Sequence, residues 1–404
     1  MKPCIVLMGA QHVGKTTLGK GLAEKLGVPF YDTDQMVTKT FQKNKNRILL
    51  CITLSLMALL GSCTKKNAKN LPVLNLTLLL SSNYSPILHL NAEGGIAEEK
   101  GGVYPILEYT TGLESVLAGK SDGRLNALQP SIIAGGNGSD IVIFAGTMGG
   151  GQLIFANKSI AEEVKNPKNW KGKTIGGYAG GTDECVIRSA LRANYGIEYN
   201  DVTYKYFEND EAVIAACKHG DVDIIAPYYA LREVAEASGL VQIGELVDLS
   251  PDYACCRQTA NGAKLRSDRS SFVNWTKGLI YSWKYFNSNE KGTIKVIKKV
   301  TSQDEQWVYE HIYDPDGTGH ITFNPDPYYN GCAPQYDVLL ELGYIERENA
   351  RPFSEYFDIS IYADALKEVI AENPNDPFYK DMWAYFVNHN NTYPNFEKLY
   401  PKTL

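Results

Sequence analysis

Metal-ligand spacing is missing from this 404-residue chain. Its eight cysteines include no C-x-x-C pair and its six histidines form no cluster, which argues against a structural zinc site. An excess of positive charge is missing too. Forty Lys and Arg face 46 Asp and Glu, a formal net charge of -6, so the footprint of a nucleic-acid binder is absent. Nor is there an apolar run of the roughly 20 residues that a membrane-spanning helix needs. What remains is an ordinary globular composition, 44% hydrophobic and 21% charged, with length for two or three packed units. Tyr is abundant at 26 residues. Its ring and hydroxyl suit ligand pockets, but the core is the first expectation for any single one.

The chain has two beginnings. From Met1, residues 3–8 read as a buried strand, followed by Gly9-Ala10-Gln11-His12-Val13-Gly14-Lys15-Thr16 and a helix over 15–26. Strand, glycine loop and helix are the context in which G-x-x-x-x-G-K-[ST] cradles phosphates; Lys15 would reach the outer oxygens and Thr16 would hold magnesium. A second strand, 28–34 (VPFYDTD), ends in Asp32 and Asp34. This opening resembles shikimate kinases. The resemblance implies that Asp32 lies near the metal, that Asp34 binds shikimate hydroxyls, and that ATP and Mg are the cofactors. It covers about 41 residues and then stops, and an isolated strand–loop–helix–strand cannot bury a core. Residues 1–42 are therefore expected to be a truncated segment foreign to the mature protein, with Met36 as a candidate true start.

The second beginning lies in residues 43–63. Lys43, Lys45 and Arg47 precede a 13-residue charge-free run, 48–60 (ILLCITLSLMALL). That length fits the core of an export signal. Leu60-Gly61-Ser62-Cys63 then resembles a lipobox, with Cys63 as the lipid acceptor and 64–71 as a polar tether. The expectation is an extracytoplasmic product anchored to the membrane through Cys63. Five cysteines follow (Cys185, Cys217, Cys255, Cys256 and Cys332). One or two disulfides are compatible with such a compartment, though their pairing is not fixed. Adjacent Cys255 and Cys256 read as buried small residues.

Beyond residue 71, strand and helix signals alternate as in an α/β domain. Strands are expected at 72–80, 103–109, 140–145, 152–156, within 169–177 after a turn, and at 201–207, 224–226 and 241–247. Helices are expected at 86–99, 111–119, 184–195, 209–218, 270–287, 302–312, 335–343 and 361–372. Polar or glycine loops are expected at 81–85, 146–151 and 178–183. The helix-rich C-terminal part should carry Tyr- and Trp-rich surfaces.

Several patterns in this body carry a resemblance: HLNAEGGIAEE at 89–99, NWKGKTIGG at 169–177, Gly196-Ile197-Glu198-Tyr199-Asn200-Asp201-Val202, Gly220-Asp221-Val222-Asp223, and YDVLLELGYI at 336–345. Together, over residues 72–372, they resemble the solute-binding proteins of ABC importers, of the nitrate, sulfonate, taurine and thiamine-precursor type. Residues 119–122 depart from the pattern, and 305–334 fits poorly, as an insertion would. The resemblance implies a two-lobed periplasmic-binding-protein-like fold of type II. Lobe one would span 72–156 and lobe two 157–250, with 251–404 returning to lobe one and adding C-terminal helices. A small-molecule ligand would bind between the lobes of a monomer that delivers it to an ABC permease, with no catalysis and no cofactor. Strand-end loops and helix N-termini supply polar groups in such clefts. The expected ligand contacts are Ser81, Ser82, Asn83, Thr147 and Gly149 from lobe one, and Gly181, Thr182, Asp183 and Tyr228 from lobe two. Asp183 has two readings, a helix cap or a partner for an amine. A thiamine-precursor synthase on a related fold, with iron near Cys255 and Cys256, is the other enzymatic alternative.

Overall fold

The computed structural model describes residues 69–78, 85–110, 112–251, 253–314 and 320–403. The P-loop with Gly9, Gly14, Lys15 and Thr16, the acids Asp32 and Asp34, the export signal with Cys63, and Ser81, Ser82 and Asn83 lie outside them. Ten strands run through the described body: β1 (Val73–Leu78), β2 (Tyr104–Tyr109), β3 (Gly123–Ala127), β4 (Ile141–Gly149), β5 (Leu153–Ala156), β6 (Thr174–Gly177), β7 (Thr203–Tyr206), β8 (Ile224–Ile225), β9 (Val241–Glu245) and β10 (Ala254–Asn261). They form two sheets. Lobe one has the order β2-β1-β3-β10-β4 and lobe two the order β7-β6-β8-β5-β9. In each, parallel pairs joined by helical crossovers are completed by antiparallel partners: β10 beside β3 and β4, and β5 beside β8 and β9. This is the mixed α/β architecture expected from the alternating signals.

Three expectations are corrected. β5 belongs to the lobe-two sheet, so the chain leaves lobe one at 150–152 rather than after 156. Gly150 and Gly151 make that turn with φ of +73° and +86°, a region open to glycine at little cost. Next, most of the glycine loop is strand: Gly146, Thr147, Met148 and Gly149 complete β4. The glycines there admit a strap from 320–327, with Gly149 and Thr322 exchanging backbone hydrogen bonds. A Cβ on Gly146 would run into the carbonyl oxygens of Asp326 and Asn324. Gly146→Ala is therefore expected to destabilise by about 1–3 kcal/mol, the usual cost of overpacking, readable as a lower urea midpoint. Part of 305–334, which fits the family pattern poorly, is thus this strap across the hinge. Finally, the Tyr- and Trp-rich helices are core. Trp275, Tyr362, Tyr379 and Trp383, in helices Arg269–Ser288, Ser360–Glu372 and Pro377–Asn390, are buried in lobe one.

The five cysteines after Cys63 are all buried, and no disulfide joins them. Among the described residues no helix is long and apolar enough to cross a membrane.

Candidate interlobe site

Two helix N-termini approach each other across the junction. In lobe two, helix Thr182–Tyr195 starts on Gly181 and stops at Gly196, whose left-handed conformation closes it through bonds to Arg192 and Leu191 carbonyls. In lobe one, helix Gln129–Gly136 follows β3, with Pro130 in its first turn. The Thr182 hydroxyl donates to Gln129 Oε1 (3.0 Å), Gln129 Nε2 donates to Gln335 Oε1 (2.5 Å), and Gln335 Nε2 donates to the Ala254 carbonyl (2.6 Å). All three side chains are buried. The result is a polar thread from lobe two into the start of β10, where the chain re-enters lobe one.

A second joint is centred on Glu184, whose side chain is fully buried. Its carboxylate accepts from Arg188 Nε (3.0 Å), the Gly180 amide (2.9 Å), the Tyr206 hydroxyl (2.9 Å) and, from lobe one, the Tyr344 hydroxyl (3.1 Å). A third joint is a fork: Arg192 donates to both carboxylate oxygens of Glu341 at 2.7 and 2.6 Å. That pair is solvent-exposed, so water and salt screen it and it adds little to closure. These joints hold the lobes closed upon each other. A cavity of about 10 Å³, room for one water, remains beside the hinge, bordered by Met148, Gly149, Tyr253 and Arg257. A wider groove of about 430 Å³, lined by Arg269, Asn274 and Asp364 among others, shares no residue with the junction.

Of the expected contacts, Thr182 makes a direct bond between lobes. Tyr228 reaches from lobe two to the end of β4, where its hydroxyl meets the Gly150 carbonyl (3.4 Å) and Met148 Sδ (3.9 Å). Thr147 is fully buried; its carbonyl accepts from the Ser85 hydroxyl (3.2 Å), while its own hydroxyl has no hydrogen-bond partner. Gln152 Oε1, at the crossing, is likewise without one. Gly149 is placed differently: its backbone is spent on Thr322. Gly181 serves turn geometry, since a Cβ there would crowd Asp183 and the Tyr178 carbonyl. Asp183 is buried against Gly177 and Gly181. Burial raises its carboxyl to about 7, helped by the charges of Glu184 and Asp210, while backbone amides at the helix start pull the other way.

Sequence reasoning missed Gln129, Gln335, Glu184 and Tyr344. The one available signal was a polar residue beside proline at a helix position, as in Gln129-Pro130 and Pro334-Gln335. The iron reading does not fit: among the described residues no three His, Cys, Asp or Glu come together to hold a metal.

Comparison with known proteins places this geometry. Residues 105–267 match the NMT1/THI5 like family, and residues 8–50 match shikimate kinase. The shikimate kinases of Saccharopolyspora erythraea and Salinispora tropica are 51% and 48% identical over 43 and 50 residues. The matched stretches are 11% and 12% of this chain and only 25% and 30% of those enzymes. Among solved structures, the periplasmic nitrate-binding protein NrtA from Synechocystis PCC 6803 superposes with a TM-score of 0.58 at 12% identity, over 74% of this chain and 89% of that one. The periplasmic aliphatic sulphonate binding protein SsuA from Escherichia coli gives 0.54 at 14% identity, over 69% and 97%. The desulfurization enzyme DSZB gives 0.51 at 12% identity, over 73% and 99%. The body of this chain thus shares the two-lobed fold of these solved structures, residues 105–267 match the NMT1/THI5 like family, and a short stretch similar to shikimate kinase lies ahead of them.

Proposed function

We propose that the protein is an extracytoplasmic solute-binding protein. It is tethered through a lipid on Cys63, closes on a small molecule between its lobes, and delivers it to an ABC permease. The observation that carries this reading is the junction itself. Opposed helix starts carry Thr182 and Gln129, and two buried polar atoms, Thr147 Oγ1 and Gln152 Oε1, lack partners beside the crossing. Unsatisfied buried atoms cost about 1–3 kcal/mol each. A ligand that bonds them in the closed form gains that energy, and so draws the open–closed equilibrium toward closure. The ligand contacts we assign are Thr147, Thr182 and Tyr228, with Gln129 added. Ser81, Ser82 and Asn83, which follow β1 in the sequence and lie outside the described residues, are proposed on sequence alone. No cofactor is assigned to this body, and the short shikimate-kinase match carries no proposal of activity.

The test is thermal denaturation against a panel of pyrimidines, sulfonates, amino acids and nitrate. A true ligand at a hundredfold its Kd adds about 2.7 kcal/mol of stability, rising with concentration. Thr182→Val should weaken that ligand roughly tenfold, by stranding Gln129 Oε1 in a dry joint. A panel with no concentration-dependent shift, or an unchanged Kd in the valine variant, would count against the reading. Mass analysis of the protein from native cells, finding no diacylglycerol on Cys63, would remove the tether.

A further inference from the structure

Neighbouring residues of a strand point to opposite faces, so adjacent cysteines in β10 should be held apart. They are not: Cys255 Sγ and Cys256 Sγ lie 3.2 Å from each other. The cause is a break in the ladder. The pairing of β10 with β4 shifts register between Ala254 and Cys256, and again between Cys256 and Arg257, as a bulge does. The pair is buried from both lobes. Thr182 of lobe two stands 4.0 Å from Cys255 Sγ, and Tyr228 of lobe two also bonds to that sulfur. The cover is therefore removed when the lobes part. Hydrogen bonding from Cys256 does most to hold the Cys255 thiol below its ordinary range, against burial, with Thr182, Tyr228 and the Arg257 charge adding to it. That favours the thiolate, the attacking form in disulfide exchange.

We propose that Cys255 and Cys256 form a reversible vicinal disulfide, made by exchange with a small disulfide when the lobes open, and that this bond weakens the closed form. Cys255 thiolate attacks the oxidant RSSR, giving Cys255–S–SR and releasing RS⁻. Cys256 thiolate then attacks Cys255 Sγ and expels the second RS⁻. Two protein thiols are oxidised, one RSSR is reduced, and the two protons pass to the released thiolates. Adjacent Cα atoms about 3.8 Å apart fall short of the usual disulfide span of roughly 4.4–6.8 Å, so the product is strained and easily reduced. Its ring must turn the Cys255 peptide, whose carbonyl accepts from the Leu128 amide (3.1 Å). Leu128 immediately precedes Gln129, the lobe-one end of the bond to Thr182. Oxidation thus acts on the main polar joint between the lobes.

The experiment treats the full chain with oxidised glutathione, alkylates the remaining thiols, and maps peptides by mass. The expected product is a peptide holding both cysteines, two hydrogens lighter, unalkylated, and restored by dithiothreitol. Small-angle scattering of the oxidised protein should report a larger radius of gyration than the reduced one. Gln129→Ala, which loosens the joint, should speed the oxidation severalfold. Cys255→Ser and Cys256→Ser should each abolish both the bond and the scattering change. Two separate glutathione adducts, a bond to another cysteine, or the same expansion in either serine variant would overturn the proposal. No ligand is used, so the failure of the solute-binding reading would be seen independently.

Discussion

Glu184→Ala is expected to lower stability by about 3–5 kcal/mol, the cost of removing one partner of a buried ion pair. The substitution leaves the Arg188 guanidinium, itself only 7% exposed, without its carboxylate. It also strips the Tyr206 and Tyr344 hydroxyls of their acceptor. Guanidinium or urea unfolding checks this directly. Glu184→Gln retains an acceptor for the tyrosines and should lose less. Tyr344→Phe removes only the bond from lobe one and should cost about 1 kcal/mol. If Glu184→Ala unfolds at the wild-type midpoint, the second joint has been misjudged.

The second large effect concerns pH. Burial, helped by the charge of Glu184, pushes the Asp183 carboxyl up to about 7, well above the ordinary carboxylate range. Folding therefore favours its protonated form. Between about pH 4 and pH 7 the unfolded chain binds fewer protons at this site than the folded one, so the stability is fully present below the lower value and is lost as pH rises through the upper one. That rise corresponds to roughly 4 kcal/mol at most. Asp326, raised by burial to about 6, acts in the same direction. The expected result is a protein that loses stability from pH 4 to pH 7, with Asp183→Asn flattening a large part of that slope. The check is a series of denaturant midpoints across the range; an unchanged slope in the asparagine variant would sink the assignment. The same titration bears on the amine reading, because a carboxyl half-protonated near neutrality is a weak partner for an ammonium group.

Much of the lobe structure was legible because each helix and strand is written locally. Val73–Leu78 places Leu74, Leu76 and Leu78 in the core, and Thr182–Tyr195 is bounded by glycines. β10 was not legible. Its buried Arg257, Gln258 and Thr259 resemble loop composition. They are satisfied by remote groups: Arg257 by the Met148 and Pro327 carbonyls, Gln258 by Gly146 and Trp275, Thr259 by Ser131. The same holds at the junction. Thr182 was found because it opens a helix after a glycine loop, whereas Gln129 and Gln335 meet across 206 residues of chain. The glycines of β4 were misread because their partner, the strap at 320–327, lies far along the sequence.

The position of β10 has a consequence for how the molecule is made. This strand sits between β3 and β4, so the lobe-one sheet has a gap at its middle until residues 254–261 arrive, more than a hundred positions after β4 begins. Lobe two, held within 150–253, is complete earlier. The first-synthesised half of lobe one must wait, with the facing edges of β3 and β4 unpaired, for a segment that follows the whole of its neighbour. Such late, distant pairing slows folding. The N-terminal lobe is thereby the last to set, and the nascent chain stays pliable for longest at the end that emerges first.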